Sequence, residues 1–136
     1  KFDIYGVDKV QPIWADHYFK TIANAKMGLN LSRGEAIKYY SSDRITQIIG
    51  NGLVCLIDQK TEYSDFFSDK EMVFYKSLSD LSEKISKLSK DEKLRKSIGK
   101  KGKDKYMKYF NSKLVAQFII DKTLGIENKN KYIWHK

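Results

Sequence analysis

Met27–Asp58 reads MGLNLSRG EAIKYYSS DRITQIIG NG LVCLID. An apolar strand, Met27–Leu31, runs into a polar loop. The loop feeds a helix over Asp43–Gly50 that turns Ile45, Ile48 and Ile49 inward. Gly50-Asn51-Gly52 ends the helix, because Gly and Asn tolerate the left-handed conformation of a C-cap. Leu53–Ile57 follows as an unbroken apolar run, the pattern of a parallel strand buried on both faces. This is half of a doubly wound α/β sheet. Its middle loop delivers Ser41, Ser42 and Arg44 to a helix N-terminus, where free N–H groups and the helix dipole favour an anion. Open parallel sheets bind ligands beyond the carboxyl ends of their strands, and this loop belongs there.

Working outward, Phe2–Gly6 alternates and ends in Gly, which predicts a strand and a turn. Pro12 marks a loop. Asp16–Asn24 predicts a helix with Tyr18, Phe19, Ile22 and Ala23 on its apolar face. Downstream, a helical turn around Tyr63–Phe67 precedes a strand at Met72–Tyr75. After Ser77 the pattern is helical only. Leu78, Leu81, Ile85 and Leu88 share one face. Ser89 or Lys90 breaks that helix. Asp91 starts a second through Leu94, Ile98, Tyr106 and Phe110. Asn111 or Ser112 caps a third, which should bury Leu114, Val115, Phe118 and Ile119. The alternation predicts an α/β fold, a parallel sheet of about four strands with a C-terminal helical layer. Residues 1–125 form the domain and 126–136 a basic tail.

The chain has 136 residues, 41% of them apolar and 13% aromatic, enough for one domain with a core. Cys55 is the only cysteine, so no internal disulfide can form, and its setting in LVCLI makes it a buried thiol. No apolar run reaches the roughly 18 residues of a membrane-spanning helix. There is no signal-like segment, so a cytoplasmic protein is expected, with any membrane association peripheral at the inner face. The chain starts without Met in what reads as a strand, as a piece of a longer protein would.

The net charge is +9 and unevenly placed. Residues 1–83 carry 10 Lys/Arg against 12 Asp/Glu, and residues 84–136 carry 16 against 5. The basic part contributes +11, and the chain has 23 Lys against 3 Arg. Readers of base edges and phosphates lean on Arg. A Lys-rich helical surface fits a solvated face or an anionic membrane better than nucleic acid.

Several stretches, in this order, carry a family resemblance. They are IYG at Ile4–Gly6, YFKTIANAKMGLNLSRG at Tyr18–Gly34 and SSDRITQIIGNGLVCLID at Ser41–Asp58. FFSDKEMVFYKSLSDLSEKI at Phe66–Ile85 and LRKSIGKKGKDKYMKYF at Leu94–Phe110 complete the set. Together the chain resembles the C-terminal, Rossmann-like nucleotide-sugar-binding domain of GT-B glycosyltransferases. The nearest branch is the CgeB-like spore-maturation group.

The resemblance implies a nucleotide diphosphate sugar as donor, no cofactor, and a partner N-terminal GT-B domain that holds the acceptor, a glycan or a lipid-linked molecule. It implies that Ser41 and Ser42 meet the diphosphate, that Arg44 lies just inside the donor helix, and that Ser32, Arg33 and Gly34 face the sugar or phosphate. The family's ribose-binding Glu is replaced here by Gln47. Gln still bonds a hydroxyl but gives up the charge-assisted bond of a carboxylate. Arg44 and Gln47, three apart, share a helix face.

Each of these residues also has a plainer reading. Ser42 caps a helix in any protein. Arg44 pairs with Asp43 or Asp58, Gln47 is solvated, and Arg33 is structural. Tyr39 and Tyr40 either stack on a base or sugar or serve packing. Glu71 resembles a family Glu and reads as structural. His17 and His135 read as surface residues. No His/Cys/Asp cluster has metal spacing. GKKG at Gly99–Gly102 is not a phosphate loop, since no strand precedes it and no Lys-Ser/Thr follows. Besides a transferase donor domain, the sequence leaves open a non-catalytic α/β binding module and then a basic nucleic-acid-binding domain.

Overall fold

The computed structural model describes residues 3–31, 34–40, 42–128 and 132–134. Three strands, β1 (Met27–Asn30), β2 (Val54–Asp58) and β3 (Val73–Tyr75), form a sheet in that order, all parallel. Met27 lies opposite Val54, and Leu56 opposite Val73. The α-helices among the described residues are α1 (Ala15–Asn24), α2 (Asp43–Gly50), α3 (Leu78–Lys90), α4 (Glu92–Tyr109) and α5 (Ser112–Thr123), of which α2, α3 and α4 pack on the sheet. The fold is α/β, as the alternation predicts.

The strand expected at Phe2–Gly6 does not appear. Phe2 lies outside the described residues, and the rest is irregular chain that closes a turn through Gly6 N–H and Val10 O at 3.1 Å. Ile4 is 52% exposed. Alternation over five residues supplies faces, but no strand among the described residues pairs with this segment.

β2 is the central strand and is covered on both sides. Val54 and Leu56 join Val73, Tyr75, Leu81, Leu88 and Ile98 in one apolar cluster. Cys55 and Ile57 join Ile45, Ile48, Ile49, Phe67, Met72 and Phe74 in the other. Opposite faces of a strand alternate, so a run with no polar break is what two covered faces require. Each fully buried Ile of α2 contributes about 1.5–3 kcal/mol.

α4 runs against the amino edge of the sheet, and its glycines explain how. A Cβ on Gly99 would lie 2.0 Å from Gly52 O, and one on Gly102 would lie 2.3 Å from Glu71 O. GKKG is therefore a flat helix face that lets backbone approach backbone. Tyr106, one turn on, shares a hydrogen bond with Thr46 of α2 at 2.9 Å. Buried Arg95 donates to the carbonyls of Leu88 and Ser89 and so closes the C-terminus of α3.

Two apolar faces differ from the sequence reading. In α1, Tyr18 and Ile22 are half-buried, while Phe19 and Ala23 are exposed. In α5, Leu114 and Phe118 turn inward, but Val115 and Ile119 are exposed. Both helices carry more apolar residues than one face holds, and periodicity alone does not choose among them. The inner face of α5 also holds the end of the chain. Buried Asp121 accepts from Gln117 (2.8 Å), Asn128 (2.9 Å) and the Tyr132 phenol (2.5 Å). Tyr132 is buried against Phe118, with ring centroids 5.0 Å apart, and Trp134 packs on Phe110 at 5.3 Å.

Candidate functional site

α2 begins beside the carboxyl end of β1, and Ser42 is its N-cap, in extended backbone. The Ser42 hydroxyl makes no bond to an α2 amide. It donates instead to Oδ1 of Asn30, the last residue of β1, at 3.3 Å. Asn30 is only 3% exposed, so it offers a fixed acceptor. The Ser42 carbonyl accepts from Ile45 N–H at 3.1 Å, while the N–H groups of Asp43 and Arg44 have no acceptor among the described residues.

The neighbouring helices are closed differently. Ser77 accepts from Asp80 N–H at the start of α3. Asp91 accepts from Leu94 N–H in α4, and Asn111 from Leu114 N–H in α5. At the carboxyl end of β3, Asp80 also accepts from Lys76 N–H and pairs with Lys84 at 2.8 Å. Of the two helices that follow carboxyl strand ends, α3 has a side-chain cap and α2 has none among the described residues.

Arg44 donates from Nη1 to Leu31 O at 3.0 Å. It thereby ties the helix to the end of β1 and forms no ion pair with Asp43 or Asp58 among the described residues. A guanidinium has five N–H donors, so most remain for a ligand. Gln47 is half-buried, one turn further along α2. Its backbone carbonyl accepts from the Asn51 side chain at 2.7 Å. Gly34 has φ +75° with open space around it. Ser32, Arg33 and Ser41 lie outside the described residues.

The loop from Gly34 to Tyr40 is clipped to the segment after β2. Tyr39, at φ +58°, donates its N–H to Thr61 O at 2.8 Å and its phenol to Asp65 at 2.5 Å. Its ring lies 4.9 Å from that of Phe66, and Lys38 pairs with Glu62 at 2.5 Å. These contacts give Tyr39 a packing role. Tyr40 stays exposed. Asp58, ending β2, accepts from Lys60 N–H at 2.8 Å. The result is a shallow platform on the carboxyl edge of the sheet. Its polar groups are Asn30, Ser42, Arg44 and the first α2 amides.

The profile of the glycosyl transferase-like family matches residues 1–121. The chain belongs to that family. No curated protein and no solved structure matches the chain significantly. In this glycosyl transferase-like domain the match spans the sheet, the open helix α2 and nearly all of α5.

Asn30 is the platform residue that the sequence reading passes over. Its signal is a polar side chain closing the otherwise apolar strand MGLN. Glu71 lies at the other edge of the sheet, just before β3. It accepts from Ser68 N–H at 2.8 Å, Ser68 Oγ at 2.9 Å and Lys105 at 3.0 Å. Burial pushes its carboxyl up, but these hydrogen bonds outweigh burial and hold it below the usual glutamate range. Glu71 is thus a bracket between β3 and α4, remote from the platform.

Burial pushes the Cys55 thiol up to about 12, so it is an inert apolar filler. Among the described residues no group of His, Cys, Asp or Glu is arranged to hold a metal ion. Nor is any described helix long and apolar enough to cross a membrane.

Proposed function

We propose that this chain is the donor-binding half of a glycosyltransferase of the GT-B type, in its CgeB-like branch. The donor is a nucleotide diphosphate sugar, with its diphosphate over the N-terminus of α2. One observation carries the reading: α2 starts at the carboxyl edge of a parallel sheet with no acceptor for its Asp43 and Arg44 amides among the described residues and with its natural cap, Ser42, turned onto Asn30. Open amides and the positive end of the helix dipole favour a diphosphate there. The carboxyl edge is where open α/β sheets take ligands.

In this reading Arg44 meets the diphosphate and Gln47 the ribose hydroxyls. Ser32, Arg33, Gly34 and Ser41 complete the same shell from the adjoining loop. When the glycosidic bond breaks, negative charge grows on the departing diphosphate. The helix dipole and Arg44 stabilise that charge in place, which lowers the barrier. The acceptor and any general base come from a companion domain, so the chain alone turns over no acceptor.

Binding of nucleoside diphosphates by calorimetry tests the proposal. Saturable binding that prefers a diphosphate to the nucleoside alone supports it. Equal affinity for both contradicts a diphosphate site. Gln47 in place of a carboxylate favours a second reading, a domain that binds nucleotides weakly without catalysing transfer. Sugar transfer by the domain joined to its companion separates the two.

A further inference from the structure

The inner face of α5 is fully used. Leu114, Gln117, Phe118 and Asp121 face the body of the protein, where Tyr132 and Trp134 pack on Phe118. The outer face has nonetheless an apolar stripe. Val115 is 42%, Ile119 59% and Ile120 50% exposed, and Leu124 and Ile126 continue the stripe beyond the helix. At 100° per residue, Lys113 and Lys122 fall on either flank of Val115, Ile119 and Ile120. Both lysines are exposed and neither forms an ion pair among the described residues, although the Lys122 ammonium lies 5.9 Å from the Phe118 ring centroid. Asp121, the only acid in α5, is 3% exposed on the opposite side.

We propose that the outer face of α5 docks on an anionic lipid surface, with Ile119 and Ile120 entering the headgroup boundary and Lys113 and Lys122 reaching lipid phosphates. Charge selects this occupant. A helix with an apolar stripe between lysines has the pattern of an interfacial helix. Long lysine stems lie along the apolar boundary while their ammonium groups stay in the polar layer. A second copy of the chain would set Lys113 and Lys122 against like charges, with no exposed acid in α5 to answer them. The +11 carried by residues 84–136 adds attraction to the same surface. The proposal is independent of donor binding, which lies on α2.

The test is flotation of the chain with phosphatidylcholine vesicles and with mixed phosphatidylcholine–phosphatidylglycerol vesicles at low and high salt. Binding should require the anionic lipid and weaken with salt. Ile119→Ser with Ile120→Ser should lower it by about tenfold or more, and each of Lys113→Gln and Lys122→Gln by roughly fivefold. All four positions are exposed, and unchanged circular dichroism verifies the fold. An environment-sensitive dye reports the contact directly. Buried Cys55 escapes labelling, so the dye attaches at Ile120→Cys or, as a control, at Ser82→Cys on α3. A blue shift on anionic vesicles at position 120 alone is the expected result. The proposal is overturned by equal binding to both vesicle types, by full binding of the double Ser variant, or by equal dye shifts. It is equally overturned by a self-association, or a complex with an acidic protein, that the double Ser variant abolishes while vesicle binding persists.

Discussion

The Ser42 hydroxyl lies 3.3 Å from Asn30 Oδ1 and makes no bond to the amides of the helix that Ser42 begins. A residue suited to capping is held away from the cap by a buried acceptor on the preceding strand. Ser42→Asp should reverse this, because a carboxylate at the N-cap reaches the open amides. The expected outcome is stability within about 1 kcal/mol of the parent and nucleotide diphosphate affinity at least about tenfold lower from like-charge repulsion. Thermal melts and calorimetry on the same samples check both.

Gly99→Ala and Gly102→Ala should each destabilise the fold. Alanine gains about 1 kcal/mol in helix propensity over glycine. That gain is overridden here, because the new methyl would lie 2.0 Å or 2.3 Å from a backbone carbonyl oxygen. A net loss of about 2 kcal/mol is expected in urea unfolding. Ser97→Ala, on the exposed side of α4, should cost nothing.

Glu71 sets an acid limit. Its carboxyl titrates below the ordinary value of 4.5 in the folded state, despite burial, because Ser68 and Lys105 donate to it. A depressed carboxyl contributes stability above the unfolded value and loses it as pH falls through the folded one. Thermal stability should therefore fall as pH drops below about 4.5, and Glu71→Gln should flatten that limb.

Tyr132 sets the alkaline limit. Burial first, then its hydrogen bond to Asp121, pushes the phenol up to about 12 from an ordinary 10.0. A raised value contributes stability that is whole below the unfolded value and is lost as pH rises through the folded one. Phenolate absorbance should show a late ionisation near pH 12, absent in Tyr132→Phe. Trp134 fluorescence should report release of the chain end over the same range in the parent.

The stretch from Met27 to Asp58 was legible because its signals agree. An apolar run marks each strand, three isoleucines at helical spacing mark α2, and glycines flank Asn51, so the α2 span matches residue for residue. At Phe2–Gly6 the alternation is present, but no strand among the described residues pairs with it. In α5, periodicity points Val115 and Ile119 inward, yet Leu114, Phe118 and Ile120 make the helix apolar on several sides, and Val115 and Ile119 end up exposed. The place of Asn30 beside Ser42 depends on a contact across 12 positions, which local pattern does not contain. GKKG lies inside α4, and its role depends on the carbonyls of Gly52 and Glu71, which lie far from it in sequence.

Gln47 gives a gain-of-function test. Gln47→Glu should tighten nucleotide binding by about 1 kcal/mol, as a carboxylate bond to ribose hydroxyls replaces an amide bond. Comparison with the 2′-deoxynucleotide checks the contact, since the gain should shrink when a hydroxyl is missing.

The most direct measurement is an amide-resolved magnetic-resonance titration of the isotope-labelled chain with a nucleoside diphosphate, repeated on Arg44→Ala. An occupied site over α2 should shift the Asp43 and Arg44 amides most, and Arg44→Ala should weaken binding by about 1.5–3 kcal/mol, the range for a hydrogen bond to a charged group. Unshifted Asp43 and Arg44 amides, or an affinity that Arg44→Ala leaves unchanged, would contradict a diphosphate site at this helix.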